Sequence, residues 1–254
     1  MSAGRTALVF LHGWGQSSKV WFSQSLRFSQ EYDVRLLDLP GHGGVPEAAA
    51  GEWLGRLIGQ CPERPFTLVG WSLGGQLAMQ LALQYPRRVR ALVLVSATPC
   101  FCRQDGWIHG CDEALFDGFK QGVSTKSLRV MSRFFTLMLQ GEALSRQLFN
   151  RLARAAVDRA HPPTRQALTA GLEILGSMDL RAELHKLQLP CLILHGEDDR
   201  VVPVAAGQVL AVGIDSARLF TFPACGHAPF LTQAGNFNRI MEAWCKNPEF
   251  INAL

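Results

Sequence analysis

The stretch Phe66-Thr67-Leu68-Val69-Gly70-Trp71-Ser72-Leu73-Gly74-Gly75, continued by Gln76–Gln84 and Pro86, decides the reading of this chain. The apolar run Phe66–Val69 reads as a buried strand. A helical pattern led by Gly75 follows, and Pro86 closes it. Between strand and helix lies a G-x-S-x-G sequence. Alone that pattern is a modest signal, but its setting makes it a tight turn that presents a serine. In so tight a turn a side chain at Gly70 or Gly74 would collide with neighbouring backbone. The strain is tolerated because it lifts the Ser72 hydroxyl clear of the sheet edge. Ser72 is therefore a candidate nucleophile, and a serine hydroxyl needs an adjacent base.

Outward from this turn the pattern repeats. Thr6–Leu11, Val34–Leu37, Ala91–Val95, Cys191–His195 and Arg218–Phe222 are short apolar runs bounded by Gly, Pro or polar residues, as buried parallel strands are. Strands alternating with helices imply an α/β fold: an open, mostly parallel sheet with helices on both faces. From about Phe101 to Lys186 the rhythm changes to helices, expected at Ser127–Leu139, Leu144–Ala160 and Thr164–Leu175. The expected organisation is a core of residues 1–100 and 187–254, with residues 101–186 inserted as a helical lid. Such a lid covers the carboxyl edge of the sheet, where ligands bind. No internal repeat or low-complexity run is present.

Composition narrows the class. The 254 residues are 48% apolar and 18% charged, which suits one globular domain with an insertion. A net charge of +4 is too mild to imply nucleic acid, though it allows one basic patch. No stretch has the apolar length to span a bilayer, so no membrane partner is expected. Met1–Arg5 leads straight into Ala7–Leu11, which His12-Gly13-Trp14-Gly15 interrupts, so no signal peptide is expected. The seven cysteines are odd in number and irregularly spaced, which points to free thiols and a cytoplasmic location. Cys100, Cys102, His109 and Cys111 fit no common zinc spacing and read as buried or partly buried thiols. No metal and no cofactor is expected.

The base must be found among seven histidines. His227 lies in Ala224-Cys225-Gly226-His227-Ala228-Pro229-Phe230, just after the last predicted strand. His195 ends an apolar strand and reads as a packed core residue. His12 opens the first glycine loop, and His42 reads as part of a surface turn. His109, His161 and His185 fall in the helical block. Only His227 also follows a late acidic loop, Gly196-Glu197-Asp198-Asp199-Arg200-Val201-Val202-Pro203, and the order serine, acid, histidine is that of such serine turns. An acid there holds the imidazole in the useful tautomer. The loop offers three acids, and it could instead be solvated or pair with Arg200.

With these residues assembled, the chain resembles the α/β-hydrolase family over nearly its whole length. More narrowly, it is similar to the pimeloyl-[acyl-carrier protein] methyl ester esterases of biotin synthesis. The likeness rests on His12-Gly13-Trp14-Gly15, Asp38-Leu39-Pro40-Gly41-His42-Gly43 and Gly70-Trp71-Ser72-Leu73-Gly74-Gly75. It continues in Ala97-Thr98-Pro99-Cys100-Phe101, Gly171-Leu172-Glu173-Ile174-Leu175 with Asp179-Leu180-Arg181, and His227-Ala228-Pro229-Phe230. The family's acid precedes an x-x-Val-Pro segment, which selects Asp199, with Asp198 second. The fold implies an oxyanion hole from the N–H of Leu73 and, in the first glycine loop, the N–H of Trp14.

The resemblance implies a serine carboxylesterase that removes a methyl group from pimeloyl-methyl ester held on acyl-carrier protein. Trp14, Phe134, Leu137 and Met138 then line the acyl channel, although helix core is the alternative reading for the lid residues. Between Ser124 and Ala170 eight basic residues face only Glu142 and Asp158, a balance of +6. A basic lid face would steer an acidic carrier, with Arg129, Arg133, Arg146, Arg151 and Arg154 as docking residues. Ordinary solvated helices are the alternative. The family also implies a hairpin before the first glycine loop, so one sheet edge is expected to be trimmed here. The rival functions are a general short-chain carboxylesterase, a carbon–carbon bond hydrolase of the same build, and a non-catalytic ligand-binding module.

Overall fold

Six apolar runs form the six strands of one sheet: β1 (Ala7–Leu11), β2 (Asp33–Leu37), β3 (Phe66–Trp71), β4 (Val89–Val95), β5 (Cys191–Gly196) and β6 (Ala217–Phe222). They are the six runs that the sequence predicts. The structure, a computed structural model, describes residues 5–247 apart from 157 and 159; for helix residues 126–128, 151 and 153–156 it describes backbone only. The strand order is β2-β1-β3-β4-β5-β6, and every pairing is parallel. β1, β3 and β5 are buried throughout, whereas the edge strands β2 and β6 are partly exposed. That gradient is why the central strands read as unbroken apolar runs.

This order has one consequence for function. β1 lies between β2 and β3, so the chain leaves β1 and β3 in opposite directions. The loops that follow them part at the carboxyl edge and leave a crevice, the place where open α/β sheets bind ligands. Ser72 follows β3, and His12-Gly13-Trp14 follows β1.

Helices cover the sheet: α1 (Phe22–Phe28), α2 (Trp53–Gln60), α3 (Leu73–Gln84), α4 (Glu113–Met138), α5 (Arg146–Ala156), α6 (Arg165–Ser177), α7 (Val204–Gly213), α8 (Pro229–Thr232) and α9 (Ala234–Lys246). The helices α4, α5 and α6 all fall between β4 and β5. α4 begins well before the predicted Ser127. Asp112 caps it, accepting from the amides of Ala114 at 3.0 Å and Leu115 at 3.4 Å. Gly118, Gly122, Ser124 and Thr125 dilute the apolar period of the first turns, yet Phe116, Phe119 and Val123 remain buried.

The helical block touches the core at defined points. α6 packs on α4 and α3, and the Trp14 indole Nε1 donates to the Leu168 carbonyl at 2.8 Å. The Thr164 amide donates to Gly41 O at 3.0 Å, and Lys19 pairs with Asp158 at 2.8 Å. His42, expected on a surface turn, is instead fully buried. Its ring sits 5.1 Å from that of His12 and edge-on to Trp53, so Gly41 and Gly43 wrap an interior residue.

Candidate active site

The turn after β3 forces Ser72 to φ 56° and ψ −118°, a strained conformation for a residue with a Cβ. The neighbouring glycines are steric necessities. A Cβ on Gly70 would lie 2.3 Å from Gly74 O, and one on Gly74 would lie 2.6 Å from His12 O. The Ser72 amide donates to Val95 O at 3.0 Å, which fixes the turn to β4. Ser72 is only 5% exposed and borders a pocket.

Asp199 sits in the turn after β5 and is buried. Its Oδ1 accepts from the amides of Val201 at 2.8 Å and Val202 at 2.9 Å. Its Oδ2 lies 2.7 Å from His227 Nδ1. Among the three acids of the loop, Asp199 is the one that meets His227; Glu197 is exposed and accepts from the Thr221 hydroxyl at 2.7 Å. Burial works to raise the Asp199 pKa. The positive charge available on His227, together with hydrogen bonds from His195 and His227, overcomes it and holds the carboxyl below its ordinary range.

His195 is the participant that sequence reading missed. Its Nε2 lies 2.9 Å from Val202 O and 3.3 Å from Asp199 Oδ2, so a core histidine backs the acid. His195 is the last residue but one of β5, four residues before Asp199.

His227 is held at every point but one. Its amide donates to Met138 O at 2.8 Å, its carbonyl accepts from the Trp71 indole at 2.8 Å, and Nδ1 meets Asp199. The loop is seated on Phe230, which packs on Trp71 and Trp21 at 4.9 and 4.1 Å between ring centroids. Nε2 is buried and has no hydrogen-bond partner. Its bond to Ser72 Oγ is not made here; catalytic hydrogen bonds commonly tighten only in the substrate complex.

The loop after β1 lies against the serine. A Cβ on Gly13 would sit 3.3 Å from Ser72 Cβ, so glycine allows the backbone of Gly13-Trp14 to approach. Leu73 is the first residue of α3, where an amide has no carbonyl one turn back to bond. Trp14 and Leu73 thus stand on the two turns that meet at Ser72.

The pocket beside Ser72 is narrow and almost wholly apolar. Trp14, Phe119 and Phe134 form one wall, with Trp14 edge-on to Phe134 at 5.2 Å. Leu137, Leu172, Leu175 and Val201 continue it. Cys111 also lines it, and burial pushes its thiol up to about 12, so it serves as a neutral wall.

The predicted lid residues divide. Phe134 and Leu137 reach the pocket, but Met138 does not and is a correction to the expected channel. One residue further round α4, its side chain is fully buried and its carbonyl holds the His227 amide. Arg129 and Arg133 stand exposed one turn apart on α4, and Arg146 is exposed at the start of α5. None of these three pairs with an acid among the described residues. The side chains of Arg151 and Arg154 lie outside the described residues.

A parallel sheet carrying a strained serine turn beside a buried Asp–His pair is the build of a hydrolase, and residues 6–234 match the α/β hydrolase fold family, to which the chain belongs. Two curated relatives share the narrower name pimeloyl-[acyl-carrier protein] methyl ester esterase. The protein of Nitrosomonas europaea is 38% identical over 238 residues, covering 93% of this chain and 94% of its own length. That of Proteus mirabilis is 35% identical over 250 residues, covering 97% and 95%. Among solved structures, an esterase from Exiguobacterium antarcticum superposes with a TM-score of 0.86 at 23% identity, covering 96% of this chain and 93% of that one, a likeness of fold.

Proposed function

We propose that this chain is a serine carboxylesterase that hydrolyses the methyl ester of pimeloyl-acyl-carrier protein in the synthesis of the biotin precursor. The observation that carries the reading is the buried 2.7 Å contact between Asp199 and His227, set beside a strained serine at the crevice. Ser72 Oγ attacks the ester carbonyl carbon while His227 Nε2 takes its proton. The developing oxyanion is held by the amides of Trp14 and Leu73. Collapse breaks the bond to methoxide, which leaves as methanol with the proton from His227. Water, deprotonated by the same histidine, then attacks the acyl-serine; the ester bond to Ser72 Oγ breaks, His227 returns the proton to that oxygen, and the acid product leaves and ionises to the carboxylate. Asp199 keeps the Nδ1 proton in place and balances the imidazolium.

The names of the relatives supply the substrate. The pocket supports it, because walls of Trp14, Phe134 and Leu137 suit an apolar acyl chain. Residues 101–186 act as the lid, and Arg129, Arg133 and Arg146 offer unpaired positive charge to an acidic carrier. A cytoplasmic location fits seven free thiols, and among the described residues no helix is long and apolar enough to cross a membrane.

The test is hydrolysis of methyl-pimeloyl-carrier protein by the purified chain, with Ser72→Ala and a short p-nitrophenyl ester as controls. Rapid turnover of the carrier substrate that Ser72→Ala abolishes, and that weakens as salt rises, supports the whole reading. Turnover of the small ester alone leaves the esterase standing and removes the carrier.

A further inference from the structure

We propose that Glu142 is a positioning residue for the catalytic base: its carboxylate, in the turn that follows α4, holds the loop that carries His227. Two successive amides of that loop are bonded to the segment closing α4. The Gly226 amide donates to Glu142 Oε1 at 2.8 Å, and the His227 amide donates to Met138 O at 2.8 Å. The fit is close on both contacts. A Cβ on Gly226 would lie 2.4 Å from Met138 O and 2.9 Å from Glu142 Oε1.

The geometry gives Glu142 leverage. The His227 ring is fixed through Nδ1 to Asp199 and through its carbonyl to Trp71, but its approach to Ser72 depends on where the loop backbone stands. Met138 O is a backbone contact that most substitutions would keep. Glu142 supplies the side-chain half of the pair. It is half-buried, and the groups that face it are acidic or neutral: Asp198 and Asp199 from the turn after β5, the Cys225 thiol of the histidine loop, and the Thr232 hydroxyl of α8. Burial raises its pKa, and the Gly226 amide opposes that rise.

This inference rests on the proposed roles of Ser72 and His227, so the experiment tests both. The full chain, Ser72→Ala, Glu142→Ala and Glu142→Gln are assayed on a p-nitrophenyl ester across pH 5–9, with thermal melts of each. Glu142→Ala is expected to lower kcat about tenfold with little change in KM, since small displacements of a reacting group are costly. Glu142→Gln keeps an oxygen acceptor, so it is expected to recover kcat to within about threefold of the parent. Because the charge is gone, its acid limb moves to lower pH. Parental kcat in Glu142→Ala overturns the proposal, as does a Glu142→Gln variant as slow as Glu142→Ala with an unmoved pH profile. Turnover surviving in Ser72→Ala instead overturns the serine mechanism itself.

Discussion

The turns at the sheet edge and the helices above them are built on different principles. Ser72, Asp199 and His227 stand in turns that directly follow β3, β5 and β6, so strand pairing sets their separation. Hydrogen bonds to the backbone then lock each turn: Ser72 N to Val95 O, the amides of Val201 and Val202 to Asp199 Oδ1, His227 N to Met138 O and the Trp71 indole to His227 O. The helical block is attached through separate contacts, such as Trp14 to Leu168, Lys19 to Asp158 and, where α4 ends, Met138 O and Glu142 to the amides of His227 and Gly226. The first region has almost no freedom to vary without losing chemistry. The second can change its surface while the chemistry below stays the same.

The largest effect that could break this contrast is in the acid turn. Asp199→Asn is expected to lower kcat by roughly a thousandfold or more, because an amide in place of the carboxylate favours the wrong histidine tautomer and leaves the imidazolium unbalanced. Asp198→Asn, one residue away and not in contact with His227, is expected to stay near the parent. Steady-state kinetics on a p-nitrophenyl ester decide it. A severe loss in Asp198→Asn and a mild one in Asp199→Asn would mean that the turn is not locked as described.

Acid should separate the two regions next. His12, which opens the first glycine loop, and His42 are buried side by side, and burial lowers them to about 4 and about 3. Their folded pKa values lie below the ordinary value of about 6.5, so the unfolded chain binds protons that the folded chain refuses. Their neutral burial is without cost above pH 6.5. Stability is then lost as pH falls toward the folded values, by roughly 3 kcal/mol for each histidine at pH 4. Denaturant titrations between pH 7 and pH 4 measure the slope. In His42→Asn, which keeps a donor toward Pro40 O, the slope should shrink by about half. An unchanged slope would place the acid-sensitive groups elsewhere, for instance at the lid contact of Lys19 with Asp158.

What could be read from the sequence follows the same division. The strands were legible because each is a short apolar run with punctuated ends, and the glycines around Ser72 carry their own steric signature. The Asp199–His227 pair was legible in part: position after late strands marked the region, and likeness to a family chose Asp199 from three acids. His195 was not legible, because a histidine inside an apolar strand carries no sign of which carboxylate it backs. His42 was misread because Gly41, Gly43 and Gly44 suggest a surface turn, whereas here they wrap a buried ring. In α4 the glycines and hydroxyl residues between Gly118 and Thr125 hid the first turns, and a difference of one helical position took Met138 from the pocket to the seat of His227.

The smallest effect lies on the exposed face of α4 and sharpens the contrast most directly. Arg129 and Arg133 are exposed, one turn apart, and make no ion pair among the described residues. Reversing both charges, Arg129→Glu with Arg133→Glu, should leave kcat and KM for a small ester unchanged, since neither side chain lines the pocket. For a carrier-bound ester the same variant should raise KM about tenfold at low salt, with the difference narrowing as ionic strength rises. Such a split separates carrier recognition from chemistry at the level of two surface residues. Equal losses on both substrates would mean instead that α4 transmits surface changes to the pocket, through the contacts of its end with the histidine loop.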